Sequence, residues 1–273
     1  MLKTRVITAL IVGAILAVAL FAFPDWAWAC FVAAIVWLAA GEWSRLLKSS
    51  TVERHVFAVL AVLPVLGFGV AGSGPGVKQD LMVLGGAAYG CALALWLFSV
   101  PVLLRYELGL SGFYGRFIYG LIVLVPASIA MVELRRDEPL RLLAFMAPVW
   151  IADTAAYFVG RRWGKVKLAP TISPGKSREG AYGALVAVAL YALAMHLLVP
   201  AVASWMPLLA WLGLALVYTA MSIEGDLFES LLKRRAEVKD SGNILPGHGG
   251  VLDRIDSLLP TLPLAGLIWL ICR

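Results

Sequence analysis

The sequence contains little charge. Lys, Arg, Asp and Glu make up 15% of its 273 residues, whereas an average soluble domain has about 25%. Hydrophobic residues make up 61%, which is far more than one buried core requires. The composition therefore excludes an ordinary soluble domain and indicates a membrane protein.

Two further absences exclude other kinds of fold and site. The three cysteines (Cys30, Cys91 and Cys272) lie in apolar stretches without a motif spacing, which excludes a disulfide framework and a zinc site. Strands of a membrane β-barrel would alternate apolar and polar residues over about ten positions, and the sequence lacks such alternation. The predicted fold class is therefore all-α, in a polytopic integral membrane protein.

Apolar runs of about 20 residues, the length that a membrane-spanning helix needs, recur from one end of the chain to the other. We predict nine spans, at Val6–Phe23, Trp26–Trp43, His55–Val70, Leu81–Leu104, Phe117–Leu134, Leu140–Gly160, Tyr182–Val199, Trp205–Ile223 and Ser257–Cys272. The first run is longer than the roughly 7–15 apolar residues of a cleavable signal peptide. We therefore expect it to be retained as the first transmembrane helix.

Basic residues predict the orientation, because cytoplasmic loops carry an excess of Lys and Arg. With a cytoplasmic N-terminus, 18 of the 23 basic residues fall on the cytoplasmic side. This distribution predicts nine spans with the N-terminus inside and the C-terminus outside. One loop does not fit, since it places Arg135, Arg136 and Arg141 outside.

We interpret residues 1–273 as a single membrane domain in two parts. Residues 1–134 form generic N-terminal transmembrane helices, and residues 135–273 form the catalytic half. In that half two cytoplasmic segments, 161–180 and 224–256, are longer than the other connections. A glycine-rich turn at Gly72–Gly76 is not interpreted as a phosphate loop, because it follows no strand and lies on the predicted outer side.

Segment 161–180 holds six basic residues and one acidic residue. Lys and Arg supply charge-assisted donors to phosphate, and Ser173 and Lys176 lie just before a span, where free helix amides face outward. The alternative is a plain positive-inside loop that contacts anionic lipid headgroups. Asp153 lies inside the preceding span, where ionisable groups are costly and mostly functional, with a buried structural aspartate as the alternative.

Segment 224–256 begins with a polar stripe. If the eighth span continues as a helix, Asp226, Ser230, Lys233 and Arg234 share one face; the alternative is an ordinary solvated face. A glycine-rich turn follows around His248. No other histidine or cysteine lies near it in the sequence, so we interpret it as a turn or supporting residue and not as a metal ligand.

Asp253 and Asp256 begin the last helix, three residues apart. One aspartate would be explained as a helix cap. Two on one face, opposite Asp226, indicate a cation, because clustered carboxylates repel each other and a divalent ion relieves the repulsion. Ligands that are all oxygen atoms favour Mg²⁺ over zinc.

A basic and an acidic segment at one membrane surface suit a nucleoside triphosphate that meets a lipid. Phosphoryl-type transfer depends mostly on positioning and on charge neutralisation by metal, Lys and Arg. A different class is a cation-coupled transporter, with Asp153 and Asp226 as coupling acids. A transporter places its site near the bilayer midplane, whereas here the acids and bases cluster at one surface.

Residues 230–256 resemble the signature of the phosphatidate cytidylyltransferase (CDP-diacylglycerol synthase) family. Every fixed position of that signature is filled, in the runs Ser230-Leu-Leu-Lys233-Arg234, Lys239-Asp240-Ser-Gly242 and Leu245-Pro-Gly-His248-Gly-Gly-Val-Leu-Asp253-Arg254-Ile-Asp256. Asp153, Gly160, Gly164 and the run 173–180 are similar to the family as well. The resemblance thus covers roughly the C-terminal half.

The resemblance implies that CTP and phosphatidate react, with Mg²⁺, to give CDP-diacylglycerol and pyrophosphate for phospholipid biosynthesis. The lipid phosphate would attack the α-phosphorus of CTP, and it needs no strong base because it is largely ionised near pH 7. The resemblance also implies a homodimer in a bacterial-type inner membrane, in contact with membrane lipid, with its site facing the cytoplasm and no nucleic-acid partner. Another transferase that uses CTP or a lipid phosphate, such as a polyprenol kinase-like enzyme, is the alternative.

The resemblance also implies roles for individual residues. The metal ligands would be Asp226, Asp253 and Asp256. Ser173, Lys176, Lys233, Arg234 and Lys239 would contact phosphate, and Asp240 would orient a lysine or act through the metal. We therefore predict as catalytic Lys233, Arg234, Lys239 and Asp240, and as substrate-binding Asp153, Ser173, Lys176, Ser230, His248 and Arg254.

Overall fold

The computed structural model describes residues 2–71, 75–110, 112–136 and 138–272. The α-helices are α1 Leu2–Ala22, α2 Asp25–Leu46, α3 Thr51–Val70, α4 Pro75–Ala94, α5 Val100–Arg105, α6 Gly112–Arg135, α7 Pro139–Trp163, α8 Arg178–Leu198, α9 Pro200–Trp205, α10 Leu208–Arg235, α11 Leu252–Ile255 and α12 Leu258–Cys272. Two strands, β1 Lys167–Ala169 and β2 Ser173–Ser177, pair antiparallel between α7 and α8. Residues 72–74 of the glycine-rich turn lie outside the described residues.

Seven helical stretches within the described residues are long and apolar enough to cross a membrane. Two shorter apolar helices, Val6–Ala22 and Leu258–Cys272, coincide with the first and last predicted spans. The prediction of a polytopic helical membrane protein is therefore confirmed, with the β1–β2 hairpin as an addition that the sequence did not predict. The number of nine spans and the cytoplasmic N-terminus stay predictions.

The fourth predicted span is one continuous helical stretch with an irregular turn. A π-helical turn, Leu95–Ser99, joins α4 to α5. Pro101 follows directly, and a proline has no N–H to donate and its ring collides with the carbonyl four residues earlier. The wider turn accommodates that collision without breaking the helix.

The arginines that did not fit the charge rule have structural partners. Arg135 donates to the carbonyl oxygen of Leu20 at 3.1 Å and pairs with Asp25 at 2.6 Å. Arg136 donates to the carbonyl oxygen of Phe68. These carbonyls belong to the last turns of α1 and α3, where backbone acceptors lack helical partners and a cation is favourable. The two arginines therefore hold helix ends together.

One apolar core joins the two predicted parts of the chain. Helix α2 packs against α3 and α6, and α12 packs against both α4 and α6. Trp28, Trp96 and Phe228, from α2, the π-turn and α10, are all buried in this core. Helices α7 and α8 pack mainly against each other through a separate small cluster, Ala152, Ala184 and Val188. Helices α10 and α12 therefore depend on the N-terminal helices for their packing, whereas α7 and α8 depend mainly on each other.

Candidate active site

The basic segment 161–180 is folded against its two flanking helices. The Glu179 carboxylate accepts hydrogen bonds from the backbone N–H groups of Lys165 and Val166, at 3.1–3.2 Å. Ser177 is the N-cap of α8 and accepts from the Gly180 N–H at 3.1 Å, as N-cap serines do. The hairpin β1–β2 therefore has a fixed position at the end of α7.

Gly164 allows this close approach of the hairpin to α7. A Cβ atom at residue 164 would lie 2.3 Å from the carbonyl oxygen of Gly160 and 2.7 Å from Ser177 Oγ. Both distances are too short for a side chain. The absence of a Cβ atom therefore lets the chain turn sharply at the end of α7 and enter the hairpin.

The hairpin meets α10 at the polar stripe. Lys176 Nζ lies 2.7 Å from Asp226 Oδ2, and Arg234 Nε donates to the carbonyl oxygen of Ile172 at 3.2 Å. Ser230 Oγ donates to the other Asp226 oxygen at 3.3 Å. The structure thus joins the basic segment to the acidic segment through side chains that the sequence had singled out.

Three aspartates form an acidic cluster, which we define as Asp153, Asp226 and Asp256. Gly225 lets α10 approach the start of α12, since a Cβ atom there would lie 2.4 Å from the carbonyl oxygen of Asp256. Burial raises the pKa of Asp256, and the charges of Asp226 and Asp153 raise it further, while Lys176 opposes them. Asp153, predicted to bind substrate, therefore shares its surroundings with two predicted metal ligands.

The structure places Asp253 apart from this cluster. Its Oδ1 lies 2.6 Å from Lys233 Nζ, and its Oδ2 accepts from the N–H groups of Ser241 and Gly250 at 2.9 and 2.8 Å. Burial alone would raise the pKa of Asp253, but these hydrogen bonds and the Lys233 charge lower it below the usual range. Both oxygens have protein donors and the side chain is only 4% exposed, whereas that of Asp226 is 32% exposed; a metal-binding role for Asp253 stays a prediction.

Lys233 is held between two carboxylates. Glu229 Oε2 and Asp253 Oδ1 each lie 2.6 Å from its ammonium nitrogen. We call Glu229, Lys233 and Asp253 the lysine bridge. Because two of the three ammonium protons face protein carboxylates, the bridge ties α10 to α11, and Lys233 has little capacity left for the predicted phosphate contact.

The acidic cluster fits a divalent cation in part. Within the residues that the structure describes, no three His, Cys, Asp or Glu side chains form a metal-binding group. Mg²⁺ does not require one, because it commonly takes one or two carboxylates and completes its shell with water and substrate phosphates. Asp226 and Asp256 supply such a pair, since Asp226 lies close enough for its charge to act on the Asp256 carboxyl.

Other predicted residues lie around this centre. Arg254 is exposed and within electrostatic range of Asp153. Lys239 and Asp240 are exposed on the connection between α10 and α11, directly before Ser241, which hydrogen-bonds to Asp253 of the lysine bridge. His248 lies in a turn closed by the Leu245 N–H and the Gly249 carbonyl at 2.9 Å, as the sequence predicted for a turn residue. Ser173 begins β2 and pairs with β1 at Ala169.

Two carboxylates near the site were not predicted. Glu229, 3% exposed, belongs to the lysine bridge, and Glu42, 0% exposed, reaches the 241–252 segment from α2. Glu42 lies in an apolar helix, where an ionisable residue is costly unless it has partners, and that signal was present in the sequence. Glu229 lies in the charged last part of α10, where nothing in the sequence distinguishes it.

An apolar cavity lies elsewhere. It has a volume of about 600 Å³ and apolar walls between α7, α8, α10 and α12, with Tyr191, Trp211 and Trp269 among its lining residues. It lies beside the first half of α7, whereas the acidic cluster lies beside the second half. The cavity is therefore separate from the charged site.

Comparisons with known proteins agree with the resemblance. The profile of the cytidylyltransferase family matches residues 3–272. A phosphatidate cytidylyltransferase of Pseudomonas aeruginosa is 42% identical over 278 residues, which cover 98% of this chain and 97% of the relative. One from Haemophilus influenzae is 33% identical over 283 residues, 96% of each chain, and one from Bacillus subtilis is 39% identical over 175 residues, 61% of this chain and 64% of the relative. The chain belongs to the cytidylyltransferase family.

Proposed function

We propose that this protein is a phosphatidate cytidylyltransferase, which converts CTP and phosphatidate to CDP-diacylglycerol and pyrophosphate. One observation carries the proposal: the 2.7 Å bridge between Lys176 of the hairpin and Asp226 of the acidic cluster. This contact supports the proposal, because Lys176, which we propose to bind phosphate, lies beside Asp226, which we propose to bind the metal. A metal–nucleotide complex needs positive charge for its phosphates and carboxylate oxygens for its metal close together.

The reaction exchanges one phosphoanhydride bond for another. An oxygen of the lipid phosphate bonds to the α-phosphorus of CTP, and the bond from that phosphorus to the bridging oxygen breaks and releases pyrophosphate. The lipid phosphate is already largely ionised near pH 7, so the protein does not need a strong base. Its main tasks are to hold two polyanions in line and to offset their repulsion.

The chain's own residues divide these tasks. Lys176 and the exposed Arg254 supply positive charge beside the acidic cluster. Arg234 holds the turn of the hairpin through a hydrogen bond to the Ile172 carbonyl and so fixes the position of Lys176 beside α10. The lysine bridge keeps α11 against α10 and so positions Asp256, three residues after Asp253.

Mg²⁺ is part of the proposal, with Asp226 and Asp256 as the residues that hold it and Asp153 close by. When bound, the ion would neutralise charge on the triphosphate and polarise the phosphorus under attack. Asp253 is left out of this set, because its side chain is only 4% exposed and holds the lysine bridge together, whereas the Asp226 side chain is 32% exposed.

The membrane placement is proposed from charge and from one contact. Thr8 in the first part of α1 donates to the carbonyl oxygen of Pro246 at 3.0 Å, so the N-terminal end of α1 lies on the side of the site. The excess of basic residues favours the cytoplasm for that side. We infer a bacterial-type inner membrane with the site facing the cytoplasm, and the homodimer implied by the resemblance stays a prediction for native mass spectrometry.

The test is synthesis by the purified protein in lipid nanodiscs with labelled CTP, phosphatidate and Mg²⁺. We expect labelled CDP-diacylglycerol and one pyrophosphate for each lipid converted. Folded protein that forms no CDP-diacylglycerol would overturn the proposal. Reactions in which diacylglycerol or a polyprenol replaces phosphatidate distinguish the alternative transferases, because those enzymes would make a product there and this protein should not.

A further inference from the structure

The buried carboxylate of Glu42 lies far from the catalytic half in the sequence but contacts it in space. Glu42 belongs to α2 and is 0% exposed. Its Oε1 accepts from the Val251 N–H at 3.1 Å, and its Oε2 accepts from the Leu252 N–H at 2.7 Å. A fully buried carboxylate is costly unless donors satisfy it, and here the donors are backbone groups directly before Asp253.

Ser241 links Glu42 to the lysine bridge. The Ser241 hydroxyl lies 3.1 Å from Glu42 Oε2 and 2.9 Å from Asp253 Oδ2. Its single proton serves one carboxylate at a time, while the Ser241 N–H donates to Asp253 at 2.9 Å. The 241–252 segment is therefore held by two carboxylates, Glu42 from α2 and Asp253, which directly follows the segment.

At two glycines of the segment, the Glu42 carboxylate occupies the space that a side chain would need. A Cβ atom on Gly242 would lie 2.3 Å from Glu42 Oε1, and one on Gly250 would lie 2.5 Å from both Glu42 oxygens. Neither glycine has a left-handed backbone. The close approach of Glu42 therefore gives a physical reason for glycine at both positions.

We infer that Glu42 is a positioning residue for the cytidylyl transfer: it fixes the backbone at Val251 and Leu252 so that Asp253 holds Lys233 and Asp256 faces Asp226. The inference rests on the proposed function and adds a residue of the N-terminal half to its machinery. Glu42 acts through the backbone and not on substrate, so its loss should lower turnover more than it weakens binding of CTP.

A graded series at Glu42 tests the inference. Glu42→Gln keeps one acceptor oxygen and Glu42→Met keeps none, at similar volume. Supporting partners of this kind are worth about 10- to 100-fold in activity. We expect kcat to fall roughly 10-fold for Gln and roughly 100-fold for Met, with the KM for CTP changed less than about 3-fold. Wild-type kcat in folded Glu42→Met protein would overturn the inference.

Asp25→Asn is the matched control. Asp25 is the other acidic residue of α2 and pairs with Arg135 at the opposite end of the helix. Its loss should leave kcat unchanged even where it lowers Tm. If kcat falls in proportion to Tm in both α2 variants, Glu42 has only a general structural role and the inference fails.

A second variant leaves Glu42 in place. In Gly242→Ala the added methyl group would meet Glu42 Oε1 and displace it, so kcat should fall as in Glu42→Gln. Gly213→Ala in α10 is its control, because a Cβ atom there meets nothing within 4 Å. Equal activity of the two alanine variants would contradict the inference even if Glu42→Met does not fold.

A measurement without substrate separates this inference from the proposed function. Hydrogen–deuterium exchange of residues 241–252 should quicken in Glu42→Gln and stay at the wild-type rate in Asp25→Asn. Unchanged exchange in Glu42→Gln would overturn the positioning role. A wild-type protein that makes no CDP-diacylglycerol would instead overturn the proposed function, and the exchange result would still decide the role of Glu42.

Discussion

Asp253 and Asp256 lie three residues apart, and the structure predicts opposite effects when each is changed to asparagine. In Asp253→Asn one oxygen can still accept from Ser241 and Gly250, but the new NH₂ group then faces the Lys233 ammonium. One charge-assisted hydrogen bond is lost, about 1.5–3 kcal/mol. Removing one partner of a buried pair costs about 3–5 kcal/mol, and Glu229 still pairs with Lys233. We therefore expect a loss of about 2–3 kcal/mol.

Asp256→Asn removes an unfavourable charge. Burial and the Asp226 charge raise the pKa of Asp256 above its unfolded value. The ionised carboxylate is therefore less stable in the folded protein than in the unfolded chain, and this penalty grows as the pH rises above the unfolded pKa and is complete above the folded pKa. Without metal, the neutral asparagine should leave Tm near neutral pH equal to that of the wild type or higher.

The assay is thermal unfolding in detergent, first with EDTA and then with Mg²⁺ and a non-hydrolysable CTP analogue. Asp253→Asn should unfold several degrees below the wild type and still gain stability from the metal and nucleotide. In EDTA the Tm of Asp256→Asn should equal or exceed that of the wild type, and Mg²⁺ with the CTP analogue should raise it only slightly. Both variants should make CDP-diacylglycerol more slowly, and the rate of Asp256→Asn should fall by at least about 100-fold. An Asp256→Asn protein that is as unstable as Asp253→Asn in EDTA would refute this assignment of roles.

Three further predictions concern other contacts. Lys176→Met removes the cation that pairs with Asp226 and should raise the KM for CTP about 10-fold or more, whereas Lys167→Met, on the exposed start of the same hairpin, should change it far less; equal effects would contradict a specific role for Lys176. Arg135→Met leaves the buried Leu20 carbonyl without its donor, which costs about 1–3 kcal/mol of stability, while Asp25, 53% exposed, stays solvated; Tm should fall with unchanged turnover per folded molecule, and reduced turnover would place Arg135 in the mechanism. A C-terminal alkaline phosphatase fusion should be active outside the cytoplasm, and an inactive fusion of equal expression would disprove the nine-span topology.

The hairpin shows why part of the fold could not be predicted. Residues 167–177 do not alternate apolar and polar side chains, and Pro174 lies inside β2, where proline argues against a strand. The strands form because Glu179 binds the backbone before them and Arg234 binds the turn between them. The Arg234 contact joins residues 62 positions apart, and local sequence patterns do not report it. The membrane helices, in contrast, follow from run length alone.

The candidate site, like the fold, could be predicted from the sequence only in part. The stripe from Asp226 to Arg234 was predictable, because a continuing helix repeats its face every three or four residues, and α10 does continue to Arg235. The sequence did not allow us to predict that Asp153, and not Asp253, lies near Asp226. This arrangement depends on how α7 and α12 pack against α10, and the spacing of Asp253 and Asp256 alone fits a metal pair equally well.

The N-terminal helices contribute more than the predicted division into generic and catalytic parts implied. Residues 230–256 carry the family signature, yet the backbone of residues 251 and 252 is satisfied by Glu42, and α12 packs on α4 and α6. In a fragment of residues 135–273 these amides and that apolar face would lack partners, and each unpaired buried donor costs about 1–3 kcal/mol. The signature therefore specifies the chemistry, while its geometry depends on helices whose sequences have little to mark them except one buried acid.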